Sequence, residues 1–125
     1  MSNMLSRLFG LSPSPASDKV HVVEPAQIRQ WWEAGSIVLV DVRESDEYAA
    51  EAIAGSINLP LSTFDPARMP RPEEGKRLVI HCRSGVRCGT ATAKLLAAGW
   101  DGEINRMQGG ILGWKAAGGP TVPGR

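Results

Sequence analysis

The residues of this chain best suited to covalent chemistry stand in one run, His81-Cys82-Arg83-Ser84-Gly85-Val86-Arg87-Cys88. A thiol attacks only as thiolate. A free cysteine titrates near ~8.5, but a helix N-terminus and neighbouring arginines bring that down to roughly 3.5–7.5. Both conditions are written around Cys82. Leu78 to His81 has the apolar composition of a strand buried on both faces, and Cys88, Ala91, Leu95 and Ala98 recur at helical spacing. The six residues from Cys82 to Arg87 must then turn from strand to helix. The first N–H groups of a helix have no internal partners and point, with the positive end of the dipole, into such a turn. Gly85 lets the backbone aim its amides inward. The expected site is therefore Cys82 as nucleophile, with Arg83, Ser84, Gly85, Val86 and Arg87 as a loop that receives an anionic substrate. The plainer alternative is an inert buried thiol flanked by solvated surface arginines. Strand end, basic flanks and Gly agree on the reactive reading, and His81, inside the strand, is read as structural.

The rest of the sequence supplies elements to hold that turn. Val20 to Val23 reads as a strand, and Pro25 opens a helix that Gly35 ends. Ile28, Trp31 and Trp32 fall on one face of it at i, i+3 and i+4, which predicts core packing in preference to an exposed aromatic platform. Ile37 to Val42 is the β-branched run of a central parallel strand, with Asp41 and Arg43 at the end where ligands bind in open α/β sheets. For that pair the reading is structural: a cap, and a salt bridge to Glu44 or Glu47. Ser45 is expected to cap the following helix. A short strand follows from Gly55 to Leu59, then a long connection from Pro60 to Gly75. After the Cys82 turn and its helix, Gly99 is a stop, Glu103 to Met107 a strand and Gly110 to Ala117 a closing helix, with Trp100 and Trp114 as packing residues. Alternating strands and helices predict an α/β fold, a central parallel β-sheet of about five strands with helices on both faces.

Composition narrows the function. The chain has 125 residues, read as a flexible tail over 1–18, rich in Ser-Pro, and one domain over 19–125. Fourteen Lys plus Arg against thirteen Asp plus Glu leave a formal charge of +1, which argues against nucleic acid or an acidic membrane surface as the partner. No segment reads as a membrane span. Two cysteines without zinc-type spacing read as reduced thiols in a cytoplasmic setting. No metal or organic cofactor is expected.

The run Cys82-Arg83-Ser84-Gly85-Val86-Arg87 after an apolar strand resembles the active loop of the rhodanese family of sulfurtransferases. Val40-Asp41-Val42-Arg43-Glu44, Glu47-Tyr48, Ala54-Gly55-Ser56-Ile57-Asn58-Leu59-Pro60 and Gly109-Gly110-Ile111-Leu112-Gly113-Trp114 fall in that family's order, so the resemblance covers about Val20 to Val122. It implies a rhodanese-like fold and a persulfide on Cys82. The sulfur would come from a small anionic donor such as thiosulfate and pass to cyanide, a thiol or a sulfur-accepting protein. Two positions depart from the pattern. Glu51-Ala52 replaces a frequent Gly-His, and Cys88 stands where many members have Ser. Cys88 is read as core packing in preference to a resolving thiol, because it opens the apolar stripe. A persulfide carrier without turnover remains a second reading. A cysteine phosphatase is disfavoured, since such loops hold five residues between Cys and Arg and this one holds four.

Overall fold

The computed structural model describes residues 17–124. Most of the expected tail, 1–18, lies outside the described residues; its last two, Ser17 and Asp18, belong to a 3-10 turn, Ser17–Lys19, that leads into the first strand. The elements are β1 (Val20–Val23), α1 (Pro25–Glu33), β2 (Ile37–Asp41), α2 (Ser45–Ala50), β3 (Ile57–Asn58), β4 (Arg77–His81), α3 (Val86–Ala97), β5 (Ile104–Met107) and α4 (Gly110–Ala116). All five strands are parallel, in the order β1-β5-β4-β2-β3. The α/β sheet read from the sequence is the sheet observed.

Alternation within the central strands feeds two cores, one on each face. Leu78 and Ile80 of β4 point into a cluster with Val40, Cys88, Ala91 and Leu95 of α3, and Trp100. Val79, between them, points the other way, to Ile28 of α1, Leu39, Met107, Ile111 and Trp114 of α4. A strand buried on both faces has no polar side to show, which is why its sequence is a continuous apolar run. Full burial of one such side chain stabilises by about 1.5–3 kcal/mol.

The tryptophans pack as expected, and Trp32 and Trp114 have their indole N–H groups satisfied, whereas the buried Trp100 Nε1 has no partner among the described residues. Trp114 is fully buried and donates from Nε1 to Pro120 O at 2.8 Å. Trp32, half-buried, meets its ring edge-on at 5.3 Å and donates to Ala54 O at 2.9 Å. The connection after β3 is pinned by buried Met69 and contains two 3-10 turns, Leu61–Thr63 and Pro66–Arg68.

Three local expectations are corrected. The reactive turn is shorter than six residues, because α3 begins at Val86, with Gly85 as its N-cap in the left-handed conformation, φ +105°. Ala98 is exposed and lies past the helix, and Thr92 joins the buried stripe instead. Glu44, not Ser45, is the N-cap of α2: its backbone N–H is held by the Glu47 carboxylate at 2.9 Å, a capping-box arrangement in which a residue three places on satisfies the orphan donor.

Register sets what lies beside what at the carboxyl edge. Asp41 pairs with His81 across β2 and β4, and Ile80 pairs with Arg106 across β4 and β5. Cys82, one residue beyond β4, therefore emerges between the ends of β2 and β5.

Candidate active site

The turn after β4 keeps its shape because its carbonyls and amides are separated onto two sides. Cys82 O accepts from Ile111 N–H at 2.8 Å and Arg83 O from Leu112 N–H at 3.1 Å, both in the first turn of α4, whose leading amides have no partners within their own helix. His81 Nδ1 adds a second contact to Cys82 O, at 3.2 Å. That contact requires the hydrogen on Nδ1, and burial, outweighing the opposing field of Asp41, lowers the His81 pKa, which favours the neutral ring. With the carbonyls drawn towards α4, the N–H groups face the sulfur. Gly85 N–H donates to Cys82 Sγ at 3.1 Å.

Gly110 makes this approach possible. Its φ is +59°, and a Cβ there would lie 2.5 Å from the carbonyl carbon and oxygen of Arg83 and from the oxygen of Cys82. Only a hydrogen fits.

The thiol of Cys82 is pulled from its ordinary 9.0 to about 5. The largest cause is a hydrogen bond from the Cys88 side chain; burial opposes it, and backbone N–H groups of Cys88, Gly85 and Ser84 add to the lowering. Cys88 is pushed the other way, well above the thiol range, first by that same hydrogen bond and then by burial. The charge rests on Cys82 and the proton on Cys88. Both residues are almost wholly buried.

Cys88 thus does what was expected of it and more. It is fully buried among Ala91, Leu95 and Ile80, as core packing requires. It also reaches Gly85 O at 3.2 Å, and its side chain is the largest influence lowering the Cys82 thiol. The missed signal was the start of the helix: with Val86 first, Cys88 is third, its N–H is unpaired within the helix, and its side chain leans back over the turn.

The arginines divide. Arg87 Nη1 and Nη2 donate to the two Glu47 carboxylate oxygens at 2.7 and 2.9 Å, half-buried, and this pairing holds the Glu47 pKa down at about 2. Arg87 is therefore not a free fork for substrate. Arg83, Ser84 and Val86 are exposed at the rim, Gly85 half-buried, and among the described residues Arg83 makes no ion pair. The expected bridge from Arg43 to Glu44 or Glu47 does not form. Arg43 turns back on Asp41, with Nη2 at 2.7 Å and Nε at 3.1 Å from the carboxylate, both side chains buried, while Nη2 also donates to Glu51 O at 2.6 Å. Asn58 closes the group by donating to Asp41 O and Arg43 O, each at 3.0 Å. The pair is structural, as read, with a different partner.

Sequence reasoning also passed over Arg106, whose Nη2 donates to Gly85 O at 3.1 Å. Among the described residues no three His, Cys, Asp or Glu side chains gather as a metal site, and no helix is long and apolar enough to cross a membrane. A cleft of about 300 Å³ lined by Met69, Leu95 and Trp100 lies at the other end of α3, away from Cys82.

A family model described as the rhodanese-like domain matches residues 24–117. An uncharacterised protein of Synechocystis is 41% identical over 100 residues, 80% of this chain and 55% of that one. A sulfurtransferase of Allochromatium vinosum is 36% identical over 86 residues, 69% of this chain and 78% of that one. A tRNA uridine(34) hydroxylase of Xanthomonas oryzae is 31% identical over 126 residues, 90% of this chain and 49% of that one. The chain thus spans about half the length of several curated relatives. Among solved structures, a rhodanese-related protein of Thermoplasma volcanium superposes with a TM-score of 0.68 at 27% identity, over 82% of this chain and 97% of that one. With the five-stranded parallel sheet, a cysteine loop closed onto α4 and a family match from residue 24 to residue 117, the chain belongs to the rhodanese-like domain family.

Proposed function

We propose that this chain is a sulfurtransferase that carries a sulfane sulfur as a persulfide on Cys82. One observation carries the reading: a buried thiol lowered to about 5 and bonded at 3.1 Å by an inward-facing amide. Such a sulfur is ionised at neutral pH and meets oriented dipoles in place of a counter-cation. In the first half-reaction the Cys82 thiolate attacks the outer sulfur of thiosulfate. The new S–S bond forms as the old one breaks, and sulfite leaves with its electron pair. In the second, cyanide or a thiolate attacks the outer persulfide sulfur, and the electron pair of the breaking bond returns to Cys82. The loop amides stabilise negative charge on either sulfur.

Arg83, exposed and unpaired, is the cation that meets an anionic donor, and Arg87 acts through its field while tied to Glu47. A phosphoryl group fits less well, because the loop is one residue shorter than a phosphatase loop. The name of the Allochromatium relative agrees with sulfur transfer; the hydroxylases share this domain over about half their length, and nothing in the loop favours their reaction. Two reduced thiols suit a reducing compartment such as the cytoplasm.

The test is intact-mass and peptide mapping after incubation with thiosulfate, followed by cyanide. Wild type should gain one sulfur atom on Cys82 and release thiocyanate, and Cys82→Ser should do neither. Loading without release to cyanide or any thiol would make the chain a persulfide carrier. Wild-type turnover by Cys82→Ser would overturn the mechanism.

A further inference from the structure

Arg106 stands in β5 beside Ile80 of β4, and its guanidinium passes under the first turns of α3. It fits there because residue 89 is glycine: a Cβ at Gly89 would lie 2.8 Å from Arg106 Nη2 and 3.2 Å from its Cζ. Among the described residues no carboxylate pairs with Arg106, and its Nε is buried without a partner. A half-buried guanidinium with no carboxylate is costly to place, so its one strong contact asks for a reason. That contact is Nη2 to Gly85 O, at 3.1 Å.

Gly85 is held on both sides. Its N–H donates to Cys82 Sγ at 3.1 Å, and its carbonyl receives Arg106 and, at 3.2 Å, the Cys88 thiol. Cys88 has a single S–H, and it is directed at Gly85 O, so two donors hold that carbonyl at once.

We propose that Arg106 is a positioning residue for the sulfur loop: by holding the Gly85 carbonyl alongside the Cys88 S–H it fixes the Gly85 turn that aims the amide at the Cys82 sulfur. This deepens the sulfur-transfer reading and rests on it. The charge of Arg106 beside Cys88 acts in the same sense, since it draws the Cys88 thiol down and makes its S–H a better donor. Around the two sulfurs the remaining titratable or charged groups are His81 of β4, held neutral, Arg87 of α3, tied to Glu47 of α2, and Arg83, exposed at the rim. Among the described residues none of them donates to Gly85 O. Without Arg106, Gly85 O keeps only Cys88 of these two donors, and the turn that aims the Gly85 amide at Cys82 loosens.

The test reads the thiolate directly, with no sulfur donor present: the rate of iodoacetamide alkylation at Cys82, located by peptide mass, against pH. Wild type should show a midpoint near 5. Arg106→Met should move it up by about one pH unit, and Arg106→Lys by less. Gly89→Ala should move it in the same direction, because the added methyl displaces the Arg106 guanidinium while alanine favours the helix. In a Cys88→Ala background, where Arg106 alone of these two donors holds Gly85 O, Arg106→Met should shift the midpoint by at least as much. An unchanged midpoint in Arg106→Met, or a shift that vanishes in the Cys88→Ala background, overturns the proposal. Should Arg106→Met fail to fold, Gly89→Ala carries the test alone, and an unchanged midpoint there overturns it. Thiosulfate loading is measured separately: shifted midpoints with no loading support the role of Arg106 and sink sulfur transfer, and loading with unshifted midpoints does the reverse.

Discussion

Two polar clusters share the carboxyl edge of the sheet, and they handle charge in opposite ways. At the end of β2, the Asp41 carboxylate is met by the Arg43 guanidinium and backbone N–H, all buried, and Asn58 and Glu51 O take up the remaining valences. At the end of β4, the Cys82 thiolate is met by an amide, a helix start and a neighbouring thiol. Of the loop's own cations, Arg87 is spent on Glu47 and Arg83 stands at the rim. An ion pair with full hydrogen bonding is finished chemistry and serves as a clamp. A charge held by dipoles keeps its lone pairs free to attack, as the proposed sulfur transfer requires.

The sharpest way to break that contrast is to remove the clamp's cation. Arg43→Ala leaves Asp41 charged and buried, and should cost about 3–5 kcal/mol of stability by urea denaturation, a large part of what a domain this size possesses. A loss below about 1 kcal/mol would mean that the pair is no clamp. Next comes the loop's support. Gly110→Ala forces a methyl into the Cys82 and Arg83 carbonyls, and should lower kcat/KM for thiosulfate by about 100-fold, as a displacement on the order of 1 Å at a reacting centre does. Wild-type kinetics in that variant would show that α4 does not hold the loop.

A third comparison is thermodynamic and carries a sign. The Cys82 pKa is lowered on folding, from an ordinary 9.0 to about 5, so between those values the unfolded chain binds the extra proton. Stability relative to Cys82→Ala should therefore rise with pH across that window, and be lost as pH falls through about 5. A flat difference from pH 5 to 9 would contradict the lowered pKa. The smallest effect belongs to the half-exposed pair. Glu47, held at about 2 against an ordinary 4.5, contributes stability above 4.5 that disappears as pH falls through 2. Screening at a partly exposed site leaves about 1 kcal/mol of it, so Glu47→Gln should match wild type near pH 2 and fall short of it by that amount at neutral pH.

Much of this was legible along the chain. A continuous apolar run, Leu78 to His81, followed by helical spacing and a glycine in a short turn, gives a strand, a turn and a helix start by local rules. The place of Cys82 before a helix start followed from those rules too, and the helix dipole acts within its first turn on whatever stands there. The boundary of α3 was less legible. Cys88 served the apolar stripe whether the helix began at Val86 or at Cys88 itself, and only the earlier start lays its side chain back over the turn.

What the sequence determined by itself was the alternation of strands and helices behind the α/β fold, and the place of Cys82 in a turn before a helix, since each depends on residues a few positions apart. What the tertiary structure decided was which charges meet. Glu47 and Arg87 are 40 residues apart, Arg106 reaches Gly85 from 21 residues away, and α4 takes the carbonyls of the Cys82 loop from beyond β5. Such partners are chosen by the strand order β5-β4-β2 and by the space left at Gly89 and Gly110. A hydrogen bond needs its atoms within about 3 Å, and only the packed sheet brings these segments that close.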